Sequence, residues 1–298
     1  MGTVTAVFRL PALLGLPRIA GDLLGAPARM AEESCRVGER TVCYGLVEGP
    51  GETVVLVHGW GLSHRSYRAA AEALANKGFR VVLPDLPGFG GSSELDFSRL
   101  GLGTYASAVR AFLEECHDVG GEPVHLVGHS FGGAVAARLA HDEPDLVRSV
   151  VLVSSVSGPT WTREDDGSAE RLLSERPIWD WGLHLVRALP TARFPVAALD
   201  VLLDLSRNMA WHLPSICLSA RLICQADLTS ELTALGRAGT PVSAVWAASD
   251  TVVPHASFED QCRALGCDGT VVEGDHGWPL SRPAAFGEVV AALLRRRE

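Results

Sequence analysis

Residues Val124-His-Leu-Val-Gly-His-Ser-Phe-Gly-Gly133 leave little freedom in how this chain can fold. The apolar run Val124, Leu126 and Val127 reads as a buried strand, and the alanine-rich run that follows through Ala140 reads as a helix. Between them stands Gly128-His129-Ser130-Phe131-Gly132, a G-x-S-x-G at a strand-to-helix turn. Glycines flank the serine because the backbone turns too tightly there for side chains, which lifts the Ser130 hydroxyl clear of the sheet edge. The five-residue pattern alone fits an incidental serine in a glycine-rich turn equally well. A functional reading therefore requires a histidine, an acid and oxyanion donors from the rest of the chain.

The remainder supplies a regular rhythm. β-Branched and apolar segments at 53–57, 80–83, 149–154, 241–247 and 269–273 alternate with helical stretches at 67–76, 105–116, 254–265 and 283–295. Such alternation predicts βαβ units: an α/β fold with a mostly parallel central sheet flanked by helices. Residues 53–57 lack polar alternation, as expected of a central strand covered on both faces. Residues 40–49 and 53–57, separated by Pro50-Gly51, predict a hairpin leading into the sheet. From 157 to 238 no strand-like run occurs, and Trp161, Trp179, Trp181 and Trp211 concentrate among leucine-rich helical stretches. This reads as a helical cap inserted between two strands, its tryptophans forming either an apolar pocket roof or a small core of their own. The expected organisation is an N-terminal extension, partly helical, over 1–39; a core over 40–156 and 239–298; and the cap over 157–238.

Composition narrows the partners. A net charge of −9 without a basic cluster argues against nucleic acid. Seven cysteines, an odd number without C-x-x-C spacing, argue against a disulfide framework and a zinc site, and fit reduced thiols of a cytoplasmic protein. The apolar run of residues 4–24 is broken by Arg9, Pro11, Pro17, Arg18 and Asp22. It does not suit a spanning helix or a secretory signal. It is expected to pack on the domain or over its active-site mouth, with an interfacial anchor as the alternative. Nothing in the residues sets the oligomeric state.

Five pieces stand in a telling order: His58-Gly-Trp-Gly61 after a strand, Asp85-Leu-Pro-Gly-Phe-Gly90, the Gly128–Gly132 turn, Asp250 just past a late strand, and His276 past the last strand. In this the chain, from about residue 40 to its end, resembles the α/β-hydrolase-fold family, lid-bearing serine esterases and lipases in particular. A serine hydroxyl needs a base to take its proton, and that base needs an acid to hold its tautomer. Ser130, Asp250 and His276 follow the fold's order of nucleophile, acid and base, each at the C-terminal end of a predicted strand. His58, His129 and His255 are weaker candidates for the base because they sit in the loop after the early strand, inside the turn, and at a helix start. Among the acids, Asp85 reads as a loop brace, Asp275 adjoins the histidine too closely to orient it, and Asp165 and Asp166 belong to the insertion.

The resemblance further implies that the backbone N–H groups of Trp60 and Phe131 form an oxyanion hole. It implies a substrate pocket involving His58, Gly59, His129, Trp161, Trp179, Trp181 and Trp278. One departure is the run Pro279-Leu-Ser-Arg-Pro283, where many family members carry Glu-x-Pro. The expected function is hydrolysis of a small apolar carboxylic ester or thioester through an acyl-enzyme, with no cofactor and no metal. The alternative is a lyase, a cyclase, an acyltransferase or a C–C or amide-bond-acting enzyme on the same fold.

Overall fold

The computed structural model describes residues 28–157 and 195–296. Eight strands form one sheet: β1 (Ala31–Val37), β2 (Arg40–Val47), β3 (Thr53–Val57), β4 (Arg80–Pro84), β5 (Val124–His129), β6 (Val147–Val153), β7 (Val242–Ala247) and β8 (Thr270–Val272). Their spatial order is β1-β2-β4-β3-β5-β6-β7-β8. β1 and β2 pair antiparallel, β2 pairs antiparallel with β4, and every pair from β4 through β8 is parallel. The sheet reaches back to Ala31, inside the stretch set apart by sequence as the extension 1–39.

The expected hairpin between 40–49 and 53–57 does not form. β2 pairs with β1 and β4, and β4 separates it from β3. The glycines on either side of Pro50 serve close approach instead. A Cβ on Gly49 would collide with the Phe79 carbonyl, and one on Gly51 with the Gly78 carbonyl. The connection thus lies pressed across the chain entering β4, which carries β2 over to the far side of that strand.

Helices cover both faces, as buried parallel strands demand. On one face α2 (Leu102–Glu115), α3 (Phe131–Asp142), α6 (Thr229–Ala238) and α7 (His255–Leu265) contribute Phe112, Val135, Leu232 and Phe258 to a core shared with Val55, Leu126 and Leu152. On the other, α1 (Arg68–Ala75), α8 (Trp278–Ser281) and α9 (Pro283–Leu294) bring Leu74, Trp278 and Phe286 against Val54, Val127 and Val151. The alternation of β5 and β6 side chains between these two cores is the strand period of two made visible. Between β6 and β7 the regular elements of the described residues are all helices: α4 (Pro195–Trp211), α5 (Leu213–Cys224) and α6. No helix among the described residues is long and apolar enough to cross a membrane.

Candidate active site

Ser130 follows β5 and precedes α3 with φ 54° and ψ −118°, a conformation costing a non-glycine residue on the order of 1–3 kcal/mol. Surrounding contacts enforce it. Its N–H donates to the Val153 carbonyl at 2.9 Å, and its own carbonyl accepts from the N–H groups of Gly133 at 3.0 Å and Val156 at 3.3 Å. A Cβ on Gly128 would collide with the Gly132 carbonyl, and one on Gly132 with the carbonyls of Val57 and His58. The flanking glycines are therefore required by close packing of β5, α3 and the end of β3. Among the described residues only Ser154, at the end of neighbouring β6, is a second non-glycine residue at positive φ.

Asp250 follows β7 and is fully engaged. Its Oδ1 accepts from the Val252 and Val253 N–H groups at 2.8 and 2.9 Å, and its Oδ2 lies 2.9 Å from His276 Nδ1. Burial alone pushes this carboxyl up, but the charge and hydrogen bond of His276, with the Val253 amide, outweigh it and hold Asp250 below the usual carboxylate range. An ionised Asp250 can only accept, so Nδ1 of His276 carries the proton. His276 Nε2 is buried without a hydrogen-bond partner. His64 Nε2 and Trp278 Nε1 also lack a hydrogen-bond partner, but His64 Nε2 faces the Glu32 carboxylate at 4.0 Å and an indole N–H cannot accept, whereas His276 Nε2 can take a proton from a group brought to it.

His129 belongs to a separate buried chain of hydrogen bonds. The Gly59 N–H donates to Tyr67 Oη at 3.0 Å, so the Tyr67 proton is directed to His129 Nδ1 at 2.6 Å. The opposite nitrogen, Nε2–H, then donates to the backbone carbonyl of His276 at 2.8 Å. Burial, reinforced by nearby His276, lowers the His129 pKa to about 3, so its ring stays neutral. This side chain braces His276, with its ring centroid 4.8 Å from the His276 ring. His58 is likewise structural: Leu86 N–H donates to its Nε2 at 2.9 Å, Nδ1–H donates to the Gly59 carbonyl at 2.8 Å, and burial pushes its pKa down. Asp85 acts as the expected brace, accepting from the His64 N–H at 2.7 Å, His64 Nδ1 at 2.8 Å and the Gly91 N–H at 3.0 Å.

Gly59 does adjoin the nucleophile position. A Cβ there would stand 3.5 Å from Ser130 Cβ and 3.1 Å from Tyr67 Oη. Phe131 is the first residue of α3, so its N–H has no intrahelical acceptor. Its ring packs edge-on against Tyr105, with centroids 5.2 Å apart, in the core. Trp60 follows β3, and its indole Nε1–H donates to α5, at 3.2 Å to the Ile216 carbonyl and 3.0 Å to Ser219 Oγ. Trp278, expected in the pocket, is instead buried in the core edge-on to Phe286, because the chain turns into α8 directly after His276. Trp161, Trp179 and Trp181 lie outside the described residues. Tyr67 was not foreseen; nothing local in its sequence distinguishes it from any tyrosine at a helix start. A cleft of about 540 Å³ between the β1–β2 turn, residues 84–93 and α2 includes none of the candidate site residues.

The family model for the alpha/beta hydrolase fold matches residues 52–277. A pimeloyl-acyl carrier protein methyl ester esterase from Aeromonas hydrophila is 31% identical over 258 residues, 81% of this chain and 95% of that protein. A 1-acylglycerol-3-phosphate O-acyltransferase from Arabidopsis thaliana is 34% identical over 178 residues, 52% of this chain and 41% of that protein. The solved structure of a 2-hydroxy-6-oxo-6-phenylhexa-2,4-dienoate hydrolase from Rhodococcus sp. strain RHA1 shares the fold, with a TM-score of 0.73 at 24% identity over 90% of this chain and 99% of that one. With its mostly parallel eight-stranded sheet and helices on both faces, the chain belongs to the α/β-hydrolase-fold family.

Proposed function

We propose that this protein is a serine-dependent hydrolase that cleaves a carboxylic ester, or a thioester, carrying an apolar acyl or alkyl group. The observation that carries the reading is the oriented pair Asp250–His276, whose Nε2 is left unpartnered at the sheet edge where strained Ser130 also lies. Ser130 Oγ attacks the carbonyl carbon while His276 Nε2 takes its proton, and the imidazolium is stabilised by Asp250. The oxyanion of the tetrahedral intermediate accepts from the N–H groups of Phe131 and Trp60. Its collapse breaks the carbon–heteroatom bond, and His276 returns the proton to the leaving alcohol or thiol. Water, deprotonated by His276, then attacks the acyl-enzyme, releasing the acid and restoring the Ser130 hydroxyl.

In this reading the insertion from 157 to 238 caps a core formed by 40–156 and 239–298, with β1 added at its edge. The curated relative named as a methyl ester esterase supports the ester class. All seven cysteines are free thiols, which supports a cytoplasmic location.

Hydrolysis of p-nitrophenyl esters from acetate to laurate tests the proposal. Turnover with a chain-length preference is expected in the native protein, and Ser130→Ala is expected to lower kcat by about 10⁴-fold or more while remaining folded. Turnover retained in that variant would remove Ser130 from the mechanism. The relative named as an O-acyltransferase favours one second reading, transfer of the acyl group to an alcohol. Acylation without hydrolytic turnover, relieved by an added alcohol acceptor, would select it.

A further inference from the structure

The loop after β3 is held from two sides, and the outer side is the helix α4. Asp204 on α4 is only 3% exposed, and its Oδ2 accepts from Ser63 Oγ at 2.6 Å, Ser66 Oγ at 2.6 Å, the Ser63 N–H at 3.1 Å and the Ser66 N–H at 3.3 Å. One turn on, Asn208 is 1% exposed. Its Nδ2 donates to the carbonyls of Gly61 at 2.8 Å and Leu62 at 3.4 Å, while its Oδ1 accepts from the Gly90 N–H at 2.8 Å. Residues four apart share a helix face. The inward face of α4 is therefore a polar clasp, while Leu199, Leu202, Leu203 and Met209 are exposed.

The clasp closes on the segment that carries Trp60. The Trp60 indole is bonded to α5, Gly61 and Leu62 to Asn208, and Ser63 and Ser66 to Asp204. Gly61 sits at φ 78°, where a Cβ would come within 3.0 Å of Leu205 Cδ1 on the same helix. On the inner side the loop is tied to the core by the Gly59 N–H bond to Tyr67 and by the His64–Asp85 pair. The Trp60 N–H thus lies between an anchor in the core and an anchor on α4.

We propose that Asp204 and Asn208 are positioning residues: through residues 61–66 they hold the Trp60 N–H where it can meet the oxyanion formed at Ser130. This rests on the serine-hydrolase reading above. A donor of this kind acts only if preorganised, and its removal costs about 10²–10³-fold in kcat in other hydrolases. Loosening it through the clasp is therefore expected to cost about 10–10²-fold. A helix of the insertion that only roofed a pocket would affect substrate binding instead.

The test compares the native protein with Asp204→Ala, Asn208→Ala and Ser66→Ala. The last removes one hydroxyl donor without leaving a buried charge unpaired, so it keeps the test open if the first does not fold. Two readouts are taken: kcat and KM on a p-nitrophenyl ester together with the affinity for a trifluoromethyl ketone, and hydrogen exchange at the amides of residues 60–66. Expected is a fall in kcat matched by weaker ketone binding, with KM within about twofold, since interactions made only in the transition state leave KM unchanged. Asp204→Asn, which keeps a carbonyl acceptor, is expected to recover most of the lost kcat. A rise in KM at constant kcat, or unchanged ketone affinity, would overturn the proposal. Should the native protein prove inert to esters and ketone alike, the functional reading fails separately. Exchange then decides the clasp: faster exchange in the variants upholds it, and unchanged protection overturns it.

Discussion

The placement of Ser130, Asp250 and His276 just past the ends of β5, β7 and β8 was legible from sequence because periodicity alone locates those strands, while the roles proposed for them come from the family's order. The His129 brace was not legible, since its partners Tyr67 and His276 lie 62 and 147 residues away and no motif joins them. It has a measurable consequence. In the unfolded chain His129 titrates near the ordinary histidine value of about 6.5, whereas in the fold it stays neutral down to about 3. Below pH 6.5 the unfolded state therefore binds a proton that the folded state refuses. Stability is lost as pH falls from about 6.5 towards about 3, at up to ~1.4 kcal/mol per pH unit for this one group. Asp250 and Asp85, whose carboxyls lie below their ordinary values, act in a lower window: the stability they contribute is present above pH 3.8 and lost as pH falls through their folded-state values. Urea midpoints between pH 4.5 and 7.5 should fall towards acid in the native protein, and His129→Gln should flatten that slope. An unchanged slope would mean that His129 is not the buried neutral group.

At the scale of elements, the longer strands and helices of the described core follow their periodic signals, whereas β1, in the stretch expected as an extension, and the four-residue α8 did not announce themselves. The pairing of β2 was misread because a Pro-Gly between two apolar runs signals a turn without specifying which strand lies alongside. What distinguishes the two topologies is the close approach of Gly49 to the Phe79 carbonyl, a contact with a residue far away in sequence. Gly49→Ala tests it. In a simple hairpin turn the change would be nearly neutral, whereas here overpacking should cost about 1–3 kcal/mol in urea unfolding. A change near zero would contradict the crossing described. The same limit applies to α4. Asp204 and Asn208 show in sequence only as polar residues four apart in a leucine-rich helix, and their role depends on a loop some 140 residues earlier.

At the scale of the molecule, the parallel sheet brings the ends of β3, β5, β7 and β8 to one edge, so residues spread from Gly59 to His276 meet without any being near in sequence. Strain concentrates there, at Ser130 and Ser154, while both faces of the sheet are filled with ordinary apolar packing. A rigid core that pins a strained serine and an oriented histidine suits the acyl transfer proposed above, a chemistry that one scaffold can perform on many acyl groups. Substrate class is accordingly the part least readable from sequence.

The central claim is that Ser130 is the nucleophile activated by His276 and Asp250. Intact-protein and peptide mass spectrometry after reaction with a fluorophosphonate tests it most directly. One adduct per chain, on Ser130, is expected in the native protein, with none in Ser130→Ala and labelling slowed by about 10³-fold or more in His276→Ala. An adduct on another residue, or undiminished labelling of Ser130→Ala, would contradict the account.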